Sequence, residues 1–279
     1  MLIPIVEMFY SIQGEGLFVG KPSVFIRLFG CNFQCNGFSN QDDQGNIGDI
    51  EIRQVSSIEE LSNQDFTKGC DSRYSWHPSY KHLAKQMTSE QVCDRIRELV
   101  PDNIAVEDVD IIFTGGEPFM NPIALLAMIQ EMHKREWLTR NPITFETNGS
   151  IKVPTELAYW CSDNLDIPLH YSNSPKLRAS GEPRKRAWRK SAIESQQKGL
   201  HIQTYKFVVE TEQDVEEIQE YLETVGVDPK NATVFLMPVG ATAEQQNQIL
   251  PKIAELCMKY GYCLSMRAHV YAFGNELGT

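Results

Sequence analysis

From residue 109 to residue 267, short apolar stretches alternate with longer amphipathic ones, and this alternation limits the fold more than any other feature of the chain. Buried-strand patterns fall at residues 109–113, 143–146, 165–170, 204–209, 233–237 and 263–267. Helical patterns fall near 122–135, 183–197, 214–224 and 243–260. Strands separated by helix-length segments cannot form hairpins. Each crossover returns the chain in the same direction, so the strands pair in parallel and need helices over them. A full or partial barrel is expected rather than separate domains, with its chemistry at the C-terminal strand ends. Glu146-Thr147-Asn148-Gly149, Ser174-Pro175-Lys176 and Met237-Pro238 all fall there.

The first hundred residues add two strands and a helix. Residues 3–8 are apolar and lead into the loop Phe9-Tyr10-Ser11-Ile12-Gln13-Gly14-Glu15-Gly16, whose glycines alone suggest only a surface turn. Residues 23–28 read as a buried strand between Pro22 and Gly30, and Arg27 interrupts its apolar run. A guanidinium is costly to bury alone, so Arg27 calls for an anionic partner near the strand end. Thr88 to Gln91 forms a capping-box pattern opening a helix through Leu99, with Val92, Ile96 and Leu99 on one face. Just past the second strand lie Cys31 and Cys35, and Cys70 follows much later. Alone, Cys31 and Cys35 read equally as buried thiols or half a zinc site. With a third thiolate they could hold three irons of a [4Fe-4S] cluster and leave the fourth iron open.

The balance of 26 basic and 37 acidic residues gives a net charge of −11, which argues against binding duplex nucleic acid by bulk charge and favours a small-molecule substrate. No apolar run reaches the roughly 18 residues of a membrane span. The N-terminus has no basic-then-apolar leader pattern, so a cytoplasmic protein is expected. The seven cysteines follow no disulfide framework, as expected in a reducing compartment, and Cys93, Cys161, Cys257 and Cys263 read as packing residues.

Four motifs together resemble one family. The run Tyr10-Ser11-Ile12-Gln13-Gly14-Glu15-Gly16, the pair Cys31 and Cys35, the segment Cys70-Asp71-Ser72-Arg73-Tyr74-Ser75-Trp76 and the turn Gly115-Gly116-Glu117-Pro118 are similar to the signatures of 7-carboxy-7-deazaguanine synthase, a branch of the radical S-adenosylmethionine (SAM) enzymes. In the usual cluster loop the third cysteine stands three residues after the second, where this chain has Phe38. The resemblance makes residues 39–68 an insertion inside that loop and Cys70 the displaced third ligand. Loop-closure entropy grows only logarithmically, so about 30 extra residues need not abolish a site. The insertion is rich in Asn, Gln, Asp and Ser, and its alternating piece at 50–55 suggests a small hairpin or a mobile segment.

What the resemblance implies is specific. The fold would be α/β, a partial (β/α) barrel of the radical SAM type with about six βα units, in one domain spanning 1–279 with the insertion at about 39–68. Cys31, Cys35 and Cys70 would hold the [4Fe-4S] cluster, and Ser72 would offer Mg2+ an oxygen. SAM would be bound by Gly69, Asp71, Gly116 and Glu117, by Asn148, by Ser174, Pro175 and Lys176, and by Met237 and Pro238. In this scheme the Glu117 carboxylate takes the SAM ammonium. Ile12, Gln13, Gly14, Glu15, Arg27 and Thr114 would bind substrate, with Arg27 on its carboxylate. The implied lyase reaction converts 6-carboxy-5,6,7,8-tetrahydropterin to 7-carboxy-7-deazaguanine and ammonia through a 5′-deoxyadenosyl radical. The product would enter queuosine-type 7-deazapurine biosynthesis.

An external one-electron reductant and a homodimer are implied as well, with no direct nucleic-acid partner. Arg267-Ala268-His269 and Phe273-Gly274-Asn275 match the family's ending loosely, and Thr279 receives no role. Two other readings stay open at this point: another small radical SAM enzyme such as a glycyl-radical activase, and a non-enzymatic metal- or cluster-binding protein.

Overall fold

The computed structural model describes residues 1–274 and 276–279, together with every side chain of these except that of Asn63. Asn275, part of the C-terminal motif, lies outside the described residues. The strands are β1 (Ile3–Ile12), β2 (Pro22–Leu28), β3 (Lys85–Met87), β4 (Asp110–Gly115), β5 (Ile143–Thr147), β6 (Leu169–Asn173), β7 (His201–Val209), β8 (Thr233–Pro238) and β9 (Cys263–Leu264). Among the described residues they form one nine-stranded sheet in the order β3-β1-β2-β4-β5-β6-β7-β8-β9. β1 pairs antiparallel with β2 and β3, and every pair from β2 to β9 is parallel. Each parallel step is a helical crossover. The helices are α1 (Ser89–Leu99), α2 (Pro122–Lys134), α3 (Thr155–Asn164), α4 (Arg184–Ala187), α5 (Lys190–Ser195), α6 (Glu212–Val225) and α7 (Ala243–Tyr260), with α8 (Ala268–Phe273) closing the chain. The expected α/β fold of about six βα units is present as an open, mostly parallel sheet.

Apolar faces explain the layering. Val92, Cys93 and Ile96 of α1 and Leu125, Met128 and Met132 of α2 join one core with β1, β2, β4 and β5, while Ile218, Tyr221 and Leu222 of α6 and Ile253 and Leu256 of α7 form a second with β7 and β8. The Thr88 capping box stops α1 from fraying, as its sequence predicts. Several boundaries differ from the sequence pattern, each for a local reason. β1 runs on to Ile12 because β2 supplies partners along it as far as Ile12↔Pro22. The strand expected at 165–170 starts only at Leu169, since Leu165 caps α3 and Pro168 has no N–H to donate. The helix expected at 183–197 breaks into α4 and α5 at Trp188 and Arg189. There the Trp188 indole packs edge-on to Tyr221 and donates to the Lys176 carbonyl at 3.2 Å. The strand expected at 263–267 shrinks to two residues because the chain leaves the sheet edge after Ser265 N–H bonds the Leu236 carbonyl. Cys263 on that edge is exposed, so packing does not explain it, whereas Cys93, Cys161 and Cys257 are buried.

Residues 39–68 form their own small layer. A turn at Asp42 brings Gln41 and Ile47 into an antiparallel bridge, whereas the alternating piece at 50–55 forms no strand. Val55, Leu61 and Phe66 bury themselves against Val6, Tyr74, Tyr80 and Leu83 in a third cluster. The segment closes on itself: Gly69 N–H donates to the Phe38 carbonyl at 2.7 Å.

Candidate active site

A cavity lies inside the curl of the sheet, walled by residues from β1, β2, β4, β5, β7 and the loops between them. The loop after β1 crosses the N-terminal ends of the parallel strands. Phe18 stacks edge-on to His170, and Lys21 pairs with Asp110 at 2.8 Å at the start of β4. From this plug Gln13 and Glu15 reach into the cavity, while the loops after β2, β4, β5 and β6 contribute from the opposite, C-terminal mouth.

The upper part holds thiols. Cys31, Cys35 and Cys70 all line the cavity, and Phe38 does not. Burial pushes the Cys31 thiol up to about 12 and raises Cys35 and Cys70 as well; Cys70 adds to the rise at Cys31 and Cys35, the Asp71 carboxylate adds to it at Cys70, and Lys176 works against it at all three. The Trp76 side chain donates to Cys70. Three soft donors around one cavity suit iron–sulfur chemistry. Among the described residues no three His, Cys, Asp or Glu side chains gather closely enough for a single metal ion. A cluster asks for a wider spacing, because each thiolate holds a different iron. The donor set therefore fits a [4Fe-4S] cluster better than a mononuclear ion.

The lower part is polar and charged. Glu146 on β5 accepts from Gln13 Nε2 at 3.3 Å and from Thr114 Oγ1 at 2.9 Å. Glu15 pairs with Lys206 and, at 3.0 Å, with Arg267. Burial works to raise its pKa, but Lys206, Arg267 and His269 together hold the carboxyl well below the ordinary range. Arg267 also reaches Asp71 at 3.3 Å. Gly14 has no room for a side chain, since a Cβ there would come within 1.7 Å of His269 Nδ1. Arg27 lines the same cavity, but not as an unpaired guanidinium. Its Nε donates to Glu7 at 2.6 Å from the directly opposed position on β1, its Nη1 reaches Ser72 Oγ at 3.5 Å, and the Tyr74 hydroxyl shares Glu7 at 2.7 Å.

Residues 12–152 match the family model described as a 4Fe-4S single cluster domain. The chain belongs to that family. It is also similar, over nearly its whole length, to proteins named 7-carboxy-7-deazaguanine synthase. One from Pyrobaculum aerophilum is 27% identical over 99% of this chain and 97% of its own, and one from Halobacterium salinarum is 27% identical over 96% and 89%. The solved structure of QueE from Escherichia coli, 25% identical, superposes over 96% of this chain and 95% of that one with a TM-score of 0.56.

Most residues expected at the site do line the cavity: Ile12, Gln13, Gly14, Glu15, Arg27 and Thr114 below, and Asp71, Ser72, Gly116, Asn148, Ser174 and Lys176 with the cysteines above. Thr279, left without a role, lines it too. Gly69, Glu117, Pro175, Met237 and Pro238 do not. Gly69 closes the 39–68 segment, and Met237 and Pro238 are buried in the sheet at the end of β8. Glu117 differs most from expectation. Its side chain is fully buried, and its carboxylate accepts from Asn148 N–H at 2.7 Å, from Thr147 Oγ1 at 2.9 Å and from Phe119 N–H at 3.1 Å. Burial, only partly offset by these bonds, raises its pKa to about 7. Here Glu117 fastens the loop after β4 to the loop after β5 and does not face the cavity. The adjacent glycine keeps a direct role, because a Cβ on Gly116 would stand 2.3 Å from the Gly30 carbonyl and 2.7 Å from Cys31 Cβ. Only a bare backbone lets the β4 loop lie against the cysteine loop.

Glu146, expected only as part of a strand-end segment, and Lys206, Arg267 and His269, which received no role, line the cavity as well. Lys206 sits inside a strand pattern, between Tyr205 and Phe207. A buried charge in such a run is itself a signal, as it was at Arg27.

Proposed function

We propose that the chain is a radical SAM enzyme that converts 6-carboxy-5,6,7,8-tetrahydropterin to 7-carboxy-7-deazaguanine and ammonia in 7-deazapurine biosynthesis. It acts as one domain spanning 1–279, with residues 39–68 inserted in the cysteine loop. The observation that carries this reading is a single cavity with two chemistries, three thiols at one mouth and a preorganised set of polar side chains at the other.

Cys31, Cys35 and Cys70 would hold the cluster. When bound, the cluster supplies the electron that cleaves SAM and starts a radical reaction on the substrate. The protein's part is to bind, orient and keep water out. Glu15, held ionised by its two cations, accepts N–H donors from a pterin edge. Glu146 keeps Gln13 and Thr114 in fixed orientation, so the lower wall meets the ring already ordered. Arg27, steadied by Glu7 and by the Tyr74 ring 5.6 Å away, offers its guanidinium to the substrate carboxylate. Ser72, which already bonds Asp71 at 3.2 Å, presents the hard oxygen that Mg2+ beside that carboxylate would take. Gly116, Asn148, Ser174 and Lys176 line the space between thiols and substrate and would hold SAM.

Anaerobic turnover of the reconstituted protein with the pterin, SAM and a one-electron reductant tests the reading. The expected products are 7-carboxy-7-deazaguanine and ammonia. SAM cleavage with the pterin left intact would remove the substrate assignment while leaving the radical chemistry.

A further inference from the structure

The Cys31–Cys35 loop has no regular secondary structure of its own, yet Cys35 sits in the left-handed region at φ 51°. That conformation is uncommon for a residue with a side chain and persists only where surrounding contacts impose it. Gly116 and the bonds of Asn32 to Asn148 and Ser150 steady the start of the loop, whereas the contacts at Cys35 itself come from the segment leading into α4. Glu182 Oε1 accepts from Gln34 N–H at 2.7 Å and from Cys35 N–H at 3.0 Å. Four residues on, Arg186 donates to the Asn32 carbonyl, and its guanidinium covers the Phe33 ring at 5.6 Å. Anion and cation thus divide the work by the chemistry of the backbone: the carboxylate takes the amides, the guanidinium takes the carbonyl. Just before Glu182, the Ser180 carbonyl accepts from Gly37 N–H at 3.0 Å, and Gln41 Nε2 reaches the Ala179 carbonyl at the same distance. The Glu182 side chain is 7% exposed; it lies 3.8 Å from the Arg186 guanidinium, and its hydrogen bonds run to the cysteine loop and not to the first amides of its own helix.

We propose that Glu182, clamped to the loop together with Arg186, is the positioning residue for the cluster. It imposes the left-handed turn at Cys35, and it places a fixed negative charge beside the iron site. The inference rests on the function proposed above. It makes two separable demands. Removing the carboxylate frees the amides of residues 34 and 35 and lets Cys35 relax toward ordinary backbone angles, so the cluster should be held more loosely. Replacing it by an amide keeps an oxygen for the N–H groups but deletes the charge, so a reduced and more negative cluster should become easier to form.

The experiment uses the full chain reconstituted anaerobically with iron and sulfide, comparing wild type, Glu182→Ala, Glu182→Gln and, as a control on the same surface, Glu220→Ala. Iron release to a chelator and the midpoint potential by EPR-monitored titration are read, with far-UV circular dichroism of each protein beside them. Glu182→Ala should release iron roughly tenfold faster than wild type, the scale of losing charge-assisted hydrogen bonds. Glu182→Gln should hold iron near the wild-type rate with its midpoint moved to more positive potential, and Glu220→Ala should match wild type in both. Iron release from Glu182→Ala at the wild-type rate would overturn the proposal. Should the Ala protein fail to fold, the Gln protein decides, and an unmoved potential there overturns the proposal equally. A wild-type protein that takes up no four-iron cluster defeats the underlying functional reading instead, so the two failures are told apart.

Discussion

The two ends of the cavity are built by opposite means. The lower end stands on strands: Glu146 and Lys206 project from β5 and β7, and Glu7 faces Arg27 across the β1–β2 register. Ion pairs hold it together. The upper end stands on loops that hold one another, with Gly116 against the cysteine loop, Glu117 under Asn148, and Asn32 bonded to Asn148 Nδ2 at 2.8 Å. Geometry below follows from the sheet, whereas geometry above exists only when several distant segments have assembled. Damage at the lower end should therefore appear mainly as lost stability or substrate affinity, and damage at the upper end as loss of the cluster.

The largest expected effect is at the top. Cys70→Ala should leave anaerobic reconstitution well short of four irons, while Cys93→Ala, on the buried face of α1 in the first core, should keep them. Iron and sulfide counting decides this, and full iron with normal SAM cleavage in Cys70→Ala would end the assignment of the third ligand. At the bottom, Lys206→Ala strips a nearly buried carboxylate of one partner and leaves it Arg267. Breaking a buried pair from one side costs about 3 kcal/mol. A shift in the urea unfolding midpoint of the apoprotein measures it, and an unmoved midpoint would show that the ion pairs do not organise this end.

A pH titration separates the two ends more gently. The folded pKa of Glu117, about 7, lies above its ordinary value of 4.5. Between those values the unfolded chain has released the proton that the folded one keeps, so this contribution to stability is full below pH 4.5 and is lost as pH rises toward 7. Its size is on the order of 3 kcal/mol. Glu117→Gln should flatten that part of the apoprotein's stability profile, and an unchanged slope would show that the buried carboxyl is not its source. Smallest should be Ser72→Ala, which should lose Mg2+ stimulation of turnover while Ser72→Thr retains much of it. Equal stimulation in the Ala protein would remove Ser72 from the metal site.

What could be read from the sequence divides along the same line. Most of the strands, the Thr88 cap and the Gly-Gly turn were legible because each is written in a short window of residues, whereas β3, three residues long, was not. The partner of Arg27 was not, because Glu7 lies twenty positions away and becomes a neighbour only through the β1–β2 register. Trp188 breaking the 183–197 helix depends on Tyr221, and the inward turn of Glu117 depends on Thr147 and Asn148, all supplied by other elements. Helix α3 escaped notice because Thr155–Asn164 mixes apolar and polar residues with little one-sidedness, and burial of Leu157, Ala158 and Cys161 in the first core compensates.

The hydrogen bond from Gly69 to the Phe38 carbonyl gives the 39–68 segment a neck with fixed endpoints. The neck, and not the length of chain beyond it, sets how far Phe38 stands from Gly69. The same property makes this the natural graft point for a reporter or affinity module, provided the replacement still shelters Tyr74, Tyr80 and Leu83, which Val55, Leu61 and Phe66 now cover.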